Sequence, residues 1–247
     1  MPTELARGPW DPGSLHGGPV AALLARELEA LEAPGPMEFT RVTVELLRPV
    51  PLEPLSVRAE VVRGGRRVQL VGATMRTGDV ELCRATAWRL RVAEEPVAEA
   101  VEPDPPPGAP ADGRTVELPD AFYGGVTFGQ GGVEARWVTG DWGLGPAQVW
   151  MRLLVPVVAE EETTPLQRAM ALGDFGNGLS SVVSWDTHVF VNTELSVFLE
   201  RPAQGEWLGH DAVSRVAPTG AGVAESVLFD EHGRIGRAMQ ALYVDRR

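Results

Sequence analysis

The chain has no lysine; all 22 of its basic side chains are arginine, a mark of GC-rich coding rather than of mechanism. It has one cysteine, Cys83, so neither an internal disulfide framework nor a cysteine-based metal site can be built. Its 4 histidines stand in no zinc-like spacing with acids. There is no phosphate-binding P-loop and no dinucleotide fingerprint. No metal and no cofactor are therefore expected. No apolar run approaches the roughly 18 residues of a membrane span, and the first residues, MPTELARGPW, lack the basic-then-apolar pattern of a signal peptide. These absences predict a cytoplasmic protein. A net charge of -12 disfavours nucleic acid and anionic membrane as partners.

What is present is a repeated pattern. Residues 93–120 are rich in proline and acid and poor in periodicity, which predicts a linker between a unit at 1–92 and a unit at 121–247. In the first unit, His16 to Leu31 keeps apolar residues at near-3.6 spacing, the signature of a helix. Four strand-like segments follow, from Phe39 to Val92, joined by Gly-Gly and Thr-Gly-Asp hairpin signals. The second unit repeats this order. A helix begins at Thr163 or Thr164 with Pro165 in its first turn, and four strands lie between Phe190 and Val244. Two strands, Gly131–Gly140 and Ala147–Val155, precede that helix, and Ala121–Phe128 is expected to add a short one. The clearest marker of the repeat is Arg-Pro after an apolar strand, at Arg48-Pro49 and again at Arg201-Pro202. The same offset lays Gln240 on Ala87. The expected class is α+β: twice over, a helix beside an antiparallel sheet of about five strands.

Several residues carry chemistry. Asp174 closes the apolar run Met170-Ala171-Leu172, where an acid opposes the helix dipole. It reads either as a surface C-cap or as a catalytic carboxylate. Gln240 shares a strand face with Ala238, Leu242 and Val244, where an amide needs partners. By the same alternation Thr193 shares the face of Leu195, Val197 and Leu199, and Asn192 that of Glu194 and Ser196. If the apolar face packs on the helix, Thr193 points inward. Gly17 and Gly18 open a helix and could bare N–H donors to a ligand, or could allow close helix–sheet packing. His16 before them reads as a local cap or turn residue. Trp137, Trp142 and Trp150 suit a core, or the lining of an acyl tunnel. Gly-Asn-Gly-Leu-Ser after Asp174 is not a nucleophile elbow.

A helix wrapped by an antiparallel sheet, twice in one chain, resembles the double hot-dog fold. RGPWDPGSLHGGPVAALLARELE resembles the N-terminal signature of thioesterase-like proteins related to acyl-CoA thioesterase II. LGDFGNGLS, VNTELSVFLERP and GRIGRAMQALYV resemble that family's second half. The resemblance implies hydrolysis of acyl-CoA to free acid and coenzyme A, with no cofactor and further association as a homodimer. It places the family's catalytic aspartate on Asp174 and its glutamine on Gln240. The family's hydroxyl residue falls on Asn192 when counted back without gaps from Arg201-Pro202; Thr193 takes the role only with a one-residue shift or bulge. These groups would activate and orient a water, and helix-start N–H groups at Gly17 and Gly18, with His16 beside them, would receive the oxyanion. Two rivals stand beside this reading. One is an acyl-CoA binder without catalysis, which Asn192 in a hydroxyl position keeps open. The other is an enoyl-CoA hydratase, which would need Asp11 and His16 as a pair.

Overall fold

The computed structural model describes residues 1–97, 102–116, 118 and 121–247. In the first half, helix α1 (Gly17–Glu29) precedes strands β1 (Met37–Leu46), β2 (Ser56–Arg63), β3 (Val68–Thr77) and β4 (Val80–Arg91). The second half contains β5 (Arg114–Thr115), β6 (Val133–Thr139), β7 (Ala147–Leu153), helices α2 (Pro165–Gly173) and α3 (Gly176–Leu179), and then β8 (His188–Asn192), β9 (Glu194–Leu199), β10 (Leu208–Val216), β11 (Ala221–Asp230) and β12 (Gly233–Arg246).

The helices start where capping chemistry starts them. Thr164 Oγ1 accepts the Gln167 N–H at 3.1 Å, ahead of Pro165 at the first helical position of α2. His16 caps α1, and Val20, Ala21, Leu24, Ala25 and Leu28 form its buried face. In β12 the alternation is clean: Ala238, Gln240, Leu242 and Val244 are buried, while Met239, Ala241 and Tyr243 face solvent.

Among the described residues, all strands join one 12-stranded sheet in the order β2-β3-β4-β1-β9-β12-β11-β10-β7-β6-β5, with β8 also paired to β12. The halves meet at the antiparallel pair β1–β9. There Thr43 lies opposite Ser196, and their hydroxyls sit 3.0 Å apart across a separation of 153 residues. That same separation relates the β3–β4 hairpin closed by Thr77 and Val80 to the β11–β12 hairpin closed by Asp230 and Gly233. A pseudo-twofold axis therefore passes through the centre of the sheet. One hydrophobic core runs across both halves, from Leu24, Leu28 and Met75 to Met170, Leu172 and Leu228.

The two long helices run antiparallel against each other inside this sheet. At one end Glu29 Oε2 of α1 accepts from Thr164 Oγ1 (2.8 Å) and Gln167 Nε2 (3.0 Å) at the start of α2. At the other end Gly18 packs onto the Ala171 carbonyl. Burial pushes the Glu29 carboxyl above its usual range, against the two donors. The buried Arg89 fixes the far end of α1 by donating to Leu31 O (2.8 Å), Glu32 O (2.5 Å) and Gln69 Oε1 (2.8 Å).

Two expectations fail. Residues 121–128 form no strand: Gly124 takes φ 72, a left-handed turn that an extended strand cannot contain. The segment is instead bonded to the N-terminal strap, through Phe122 N–H to Pro9 O (3.2 Å) and Phe128 N–H to Arg7 O (2.9 Å). A two-residue edge strand, Arg114–Thr115, pairs with β6 instead. The expected strand from Phe190 to Pro202 is also broken, at Thr193, into β8 and β9.

Candidate active site

Asp174 is the C-cap of α2 and is 4% exposed. Because the helices are antiparallel, the end of α2 lies against the start of α1, so the acid that opposes its own helix dipole faces the positive end of the other helix. Gly17 makes that approach feasible: a Cβ there would sit 2.6 Å from Asp174 Oδ2.

Two amides hold the carboxylate. Oδ1 accepts from Asn192 Nδ2 at 2.8 Å and from Gln240 Nε2 at 3.1 Å. Gln240 Nε2 also donates to the Asp174 carbonyl (2.9 Å), and Gln240 Oε1 accepts the Asn177 N–H (2.9 Å). Asn192 Nδ2 also donates to Glu194 O at 3.1 Å. These partners fix the orientation of both amides, since a flipped oxygen would face the carboxylate. Both amides are thus engaged with protein partners, and Oδ2 is left facing the start of α1.

His16 stands there. Its Nδ1 is 3.2 Å from Asp174 Oδ2 and 3.0 Å from the Gly18 N–H, which it accepts as N-cap. The ring stacks on Phe175 at 4.7 Å. One nitrogen therefore serves two neighbours with opposite demands. Without a proton it satisfies the Gly18 N–H; with one it donates to the carboxylate. Among the described residues the Gly17 N–H has no acceptor, and Gly17 lines the cavity in front of Asp174.

The structure brings together five of the residues singled out from the sequence: His16, Gly17, Asp174, Asn192 and Gln240. Gly18 is present but its N–H is used by His16, and its missing side chain serves close packing on α2 rather than on the sheet. Thr193 does not point inward as alternation predicted. It is exposed at the rim, with its hydroxyl toward Ala241 O at 3.5 Å. The cause is a bulge: Asn192 pairs with Leu242 and Ser196 with Met239, so one strand spends an extra residue over the same interval. The extra residue turns Asn192 to the side of Leu195. The hydratase pair is not formed: Asp11 Oδ1 accepts the Gly13 N–H (2.7 Å), and among the described residues no contact joins it to His16.

A cavity of about 410 Å³ opens in front of these groups, within the range of about 300–1,000 Å³ usual for small-molecule sites. Asp174, His16, Gly17 and Asn192 line it together with the apolar side chains of Val20, Leu46, Trp142, Trp185 and Phe190. Trp10 stacks on Trp185 at 4.8 Å. Trp137 and Trp150 are core residues, so only Trp142 of the three tryptophans singled out lines the cavity. Sequence reasoning missed Asn177, Trp10 and Trp185. Asn177 acts through its backbone and left no signal, whereas Trp10 lies within the N-terminal stretch that carries the resemblance. Among the described residues, no group of three or more His, Cys, Asp or Glu is placed to hold a metal ion, and no helix is long and apolar enough to cross a membrane.

The tandem helix-in-sheet architecture defines a double hot-dog protein. Comparison with family models makes the class specific. Residues 6–90 match the acyl-CoA thioesterase N-terminal domain and residues 97–244 the acyl-CoA thioesterase C-terminal domain. The chain belongs to the acyl-CoA thioesterase family and is a thioester hydrolase. Solved structures agree in fold. A hot dog fold protein from Alicyclobacillus acidocaldarius is 19% identical, with a TM-score of 0.74 over 98% of this chain and 90% of that one. The acyl-CoA thioesterase II TesB2 from Mycobacterium marinum is 17% identical, with a TM-score of 0.66 over 95% and 91%. The tesB protein of Mycobacterium avium subs paratuberculosis is 17% identical, with a TM-score of 0.67 over 94% and 88%. A comparison with curated proteins returned no match.

Proposed function

We propose that the chain hydrolyses acyl-CoA at Asp174, with the thioester carbonyl held before Oδ2 and the acyl group lying along the aromatic wall. The observation that carries this reading is the division of labour within one carboxylate. Asn192 and Gln240 both donate to Oδ1, while Oδ2 is left beside His16 and Gly17, which line the cavity with it, and among the described residues the Gly17 N–H has no acceptor. The amides position the base rather than the water, which departs from the water-orienting role that the resemblance implies for them.

The chemistry follows from that placement. A water oxygen attacks the thioester carbonyl carbon while its proton passes to Asp174 Oδ2. The oxyanion forms next to the Gly17 N–H at the positive end of α1. Its collapse breaks the C–S bond, and the proton returns to the departing sulfur, leaving the free acid and coenzyme A. His16, in contact with Oδ2, shares the proton in transit: protonation of Nδ1 gives the Asp174–His16 pair a second place to hold it.

The test is thiol release from acyl-CoA substrates of graded chain length by the wild type and by Asp174→Asn. The variant keeps the shape of the site but removes the base, and kcat should fall by about 10²–10⁴, the usual contribution of a general base. Turnover by Asp174→Asn equal to the wild type would refute the assignment. Saturable acyl-CoA binding by the wild type with no thiol release would favour the non-catalytic reading that Asn192 kept open.

A further inference from the structure

The pseudo-twofold axis lets one half of the molecule be read against the other, and the Arg-Pro pairs are where the halves diverge. In the second half Arg201 forms a two-point ion pair with Asp230, Nη1 to Oδ2 at 2.5 Å and Nη2 to Oδ1 at 2.6 Å, and Nη2 also donates to Gly233 O at 3.1 Å. Asp230 is fully buried; burial alone would raise its carboxyl, but Arg201 and the N–H groups of Gln204 and His232 outweigh that and hold it below its usual range. Arg201 there is a structural cation.

In the first half a matching backbone bond is kept and the acid is gone. Leu47 N–H donates to Leu82 O at 3.0 Å, as Glu200 N–H donates to Ile235 O at 2.8 Å, each pair separated from its counterpart by the repeat. The residue in the place of Asp230 is Thr77, whose hydroxyl is turned to Pro54 O at 3.5 Å. Among the described residues the Arg48 side chain has no ion pair and no hydrogen bond, and it is exposed. It also lines the cavity that contains Asp174. The strand end that carries it is tied to the bulge beside the site, through Leu46 N–H to Thr193 O at 2.9 Å. The two acids that line the cavity are occupied elsewhere: Asp11 accepts the Gly13 N–H, and Asp174 is held by the amides.

We propose that Arg48 is the anchor for the phosphate-bearing end of coenzyme A, a cation released from the structural role of its repeat counterpart and left at the rim of the catalytic cavity. The proposal rests on the acyl-CoA reading of the site. Its chemistry is that of an exposed guanidinium in a chain of net charge -12. Most of the surface repels a polyanion, so an unpaired arginine that lines the cavity offers a place where the phosphates of the ligand can settle. The thioester then reaches Asp174 along the pantetheine arm.

The experiment is calorimetric titration of the full chain with coenzyme A and, separately, with pantetheine, which lacks the phosphates. It is run on the wild type, Arg48→Ala and Arg48→Lys, with Tm confirming that each is folded. The wild type should bind coenzyme A more tightly than pantetheine, an advantage that weakens with added salt. Arg48→Ala should lose about tenfold of that advantage, the scale of one charge-assisted hydrogen bond, and Arg48→Lys should keep part of it. The proposal is overturned if the wild type shows no such advantage, if Arg48→Ala keeps it whole, or if Arg48→Ala weakens both ligands equally. Because the readout is binding, coenzyme A binding that depends on Arg48 without any thiol release would refute hydrolysis at Asp174 and leave the anchor standing.

Discussion

Gly17 and Gly18 are neighbours with different reasons to lack a side chain, and that difference can be measured. A Cβ at Gly17 would meet Asp174 Oδ2 at 2.6 Å and its Cγ at 3.0 Å, so it strikes a side chain. A Cβ at Gly18 would strike the backbone carbonyl of Ala171, also inside 3.0 Å, where nothing can rotate away. In Gly17→Ala the carboxylate must give, and giving means loosening from Asn192 and Gln240. A shift of that order, near 1 Å, costs about 10²-fold in rate when the group is catalytic. In Gly18→Ala the two helices must separate. Overpacking of this kind costs about 1–3 kcal/mol, which for a domain of this size is roughly 2–12 °C in Tm. The assay is paired: kcat for thiol release and Tm by calorimetry for each variant. Gly17→Ala should lose activity out of proportion to stability, and Gly18→Ala should lose stability first. A Gly17→Ala enzyme with wild-type kcat, or a Gly18→Ala chain with wild-type Tm, would refute the packing argument.

Two further outcomes can be measured. His210 is fully buried in β10, and burial pushes its ring down to about 4. The unfolded chain takes up that proton near pH 6.5 and the folded chain does not, so stability falls as pH drops from about 6.5 toward 4, by about 2–3 kcal/mol. Denaturant midpoints across that window should flatten in His210→Leu; an unchanged slope would show that other groups carry the dependence. Gln240→Met removes the partners of the Asn177 N–H and the Asp174 carbonyl. Stability should fall by about 1–3 kcal/mol for each buried group left unpaired, with kcat falling as Asp174 loses its support; wild-type values for both in urea melts and thiol release would show the amide to be incidental.

Much of the architecture was legible in the sequence because it is local. Thr164-Pro165 announced a helix start and the alternation around Gln240 announced a buried amide, as β12 shows. The Arg-Pro repeat announced two copies of one unit, since a duplicated backbone keeps its turns and strand ends at fixed offsets. Asp174 stood out because an acid in that place needs a reason. Residues 121–128 misled because an apolar, glycine-bearing stretch looks alike in a strand and in a turn, and only the backbone at Gly124 decides.

What tertiary structure alone decided is which atoms face one another. Alternation along a single strand assigned Thr193 to the inside, and one extra residue in the β8–β9 bulge gave the place to Asn192 instead. Nothing local shows that the C-terminus of α2 meets the N-terminus of α1, or that His16 Nδ1 arrives 3.2 Å from Asp174 Oδ2. Nor does it show that the two amides both donate to Oδ1 of that carboxylate. Those contacts join separate segments of the chain: Gln240 reaches Asp174 across 66 residues, and His16 reaches it across more than a hundred. Sequence sets the chemistry that each segment carries; the antiparallel packing of the helices and the register of the sheet set which of those chemistries can touch.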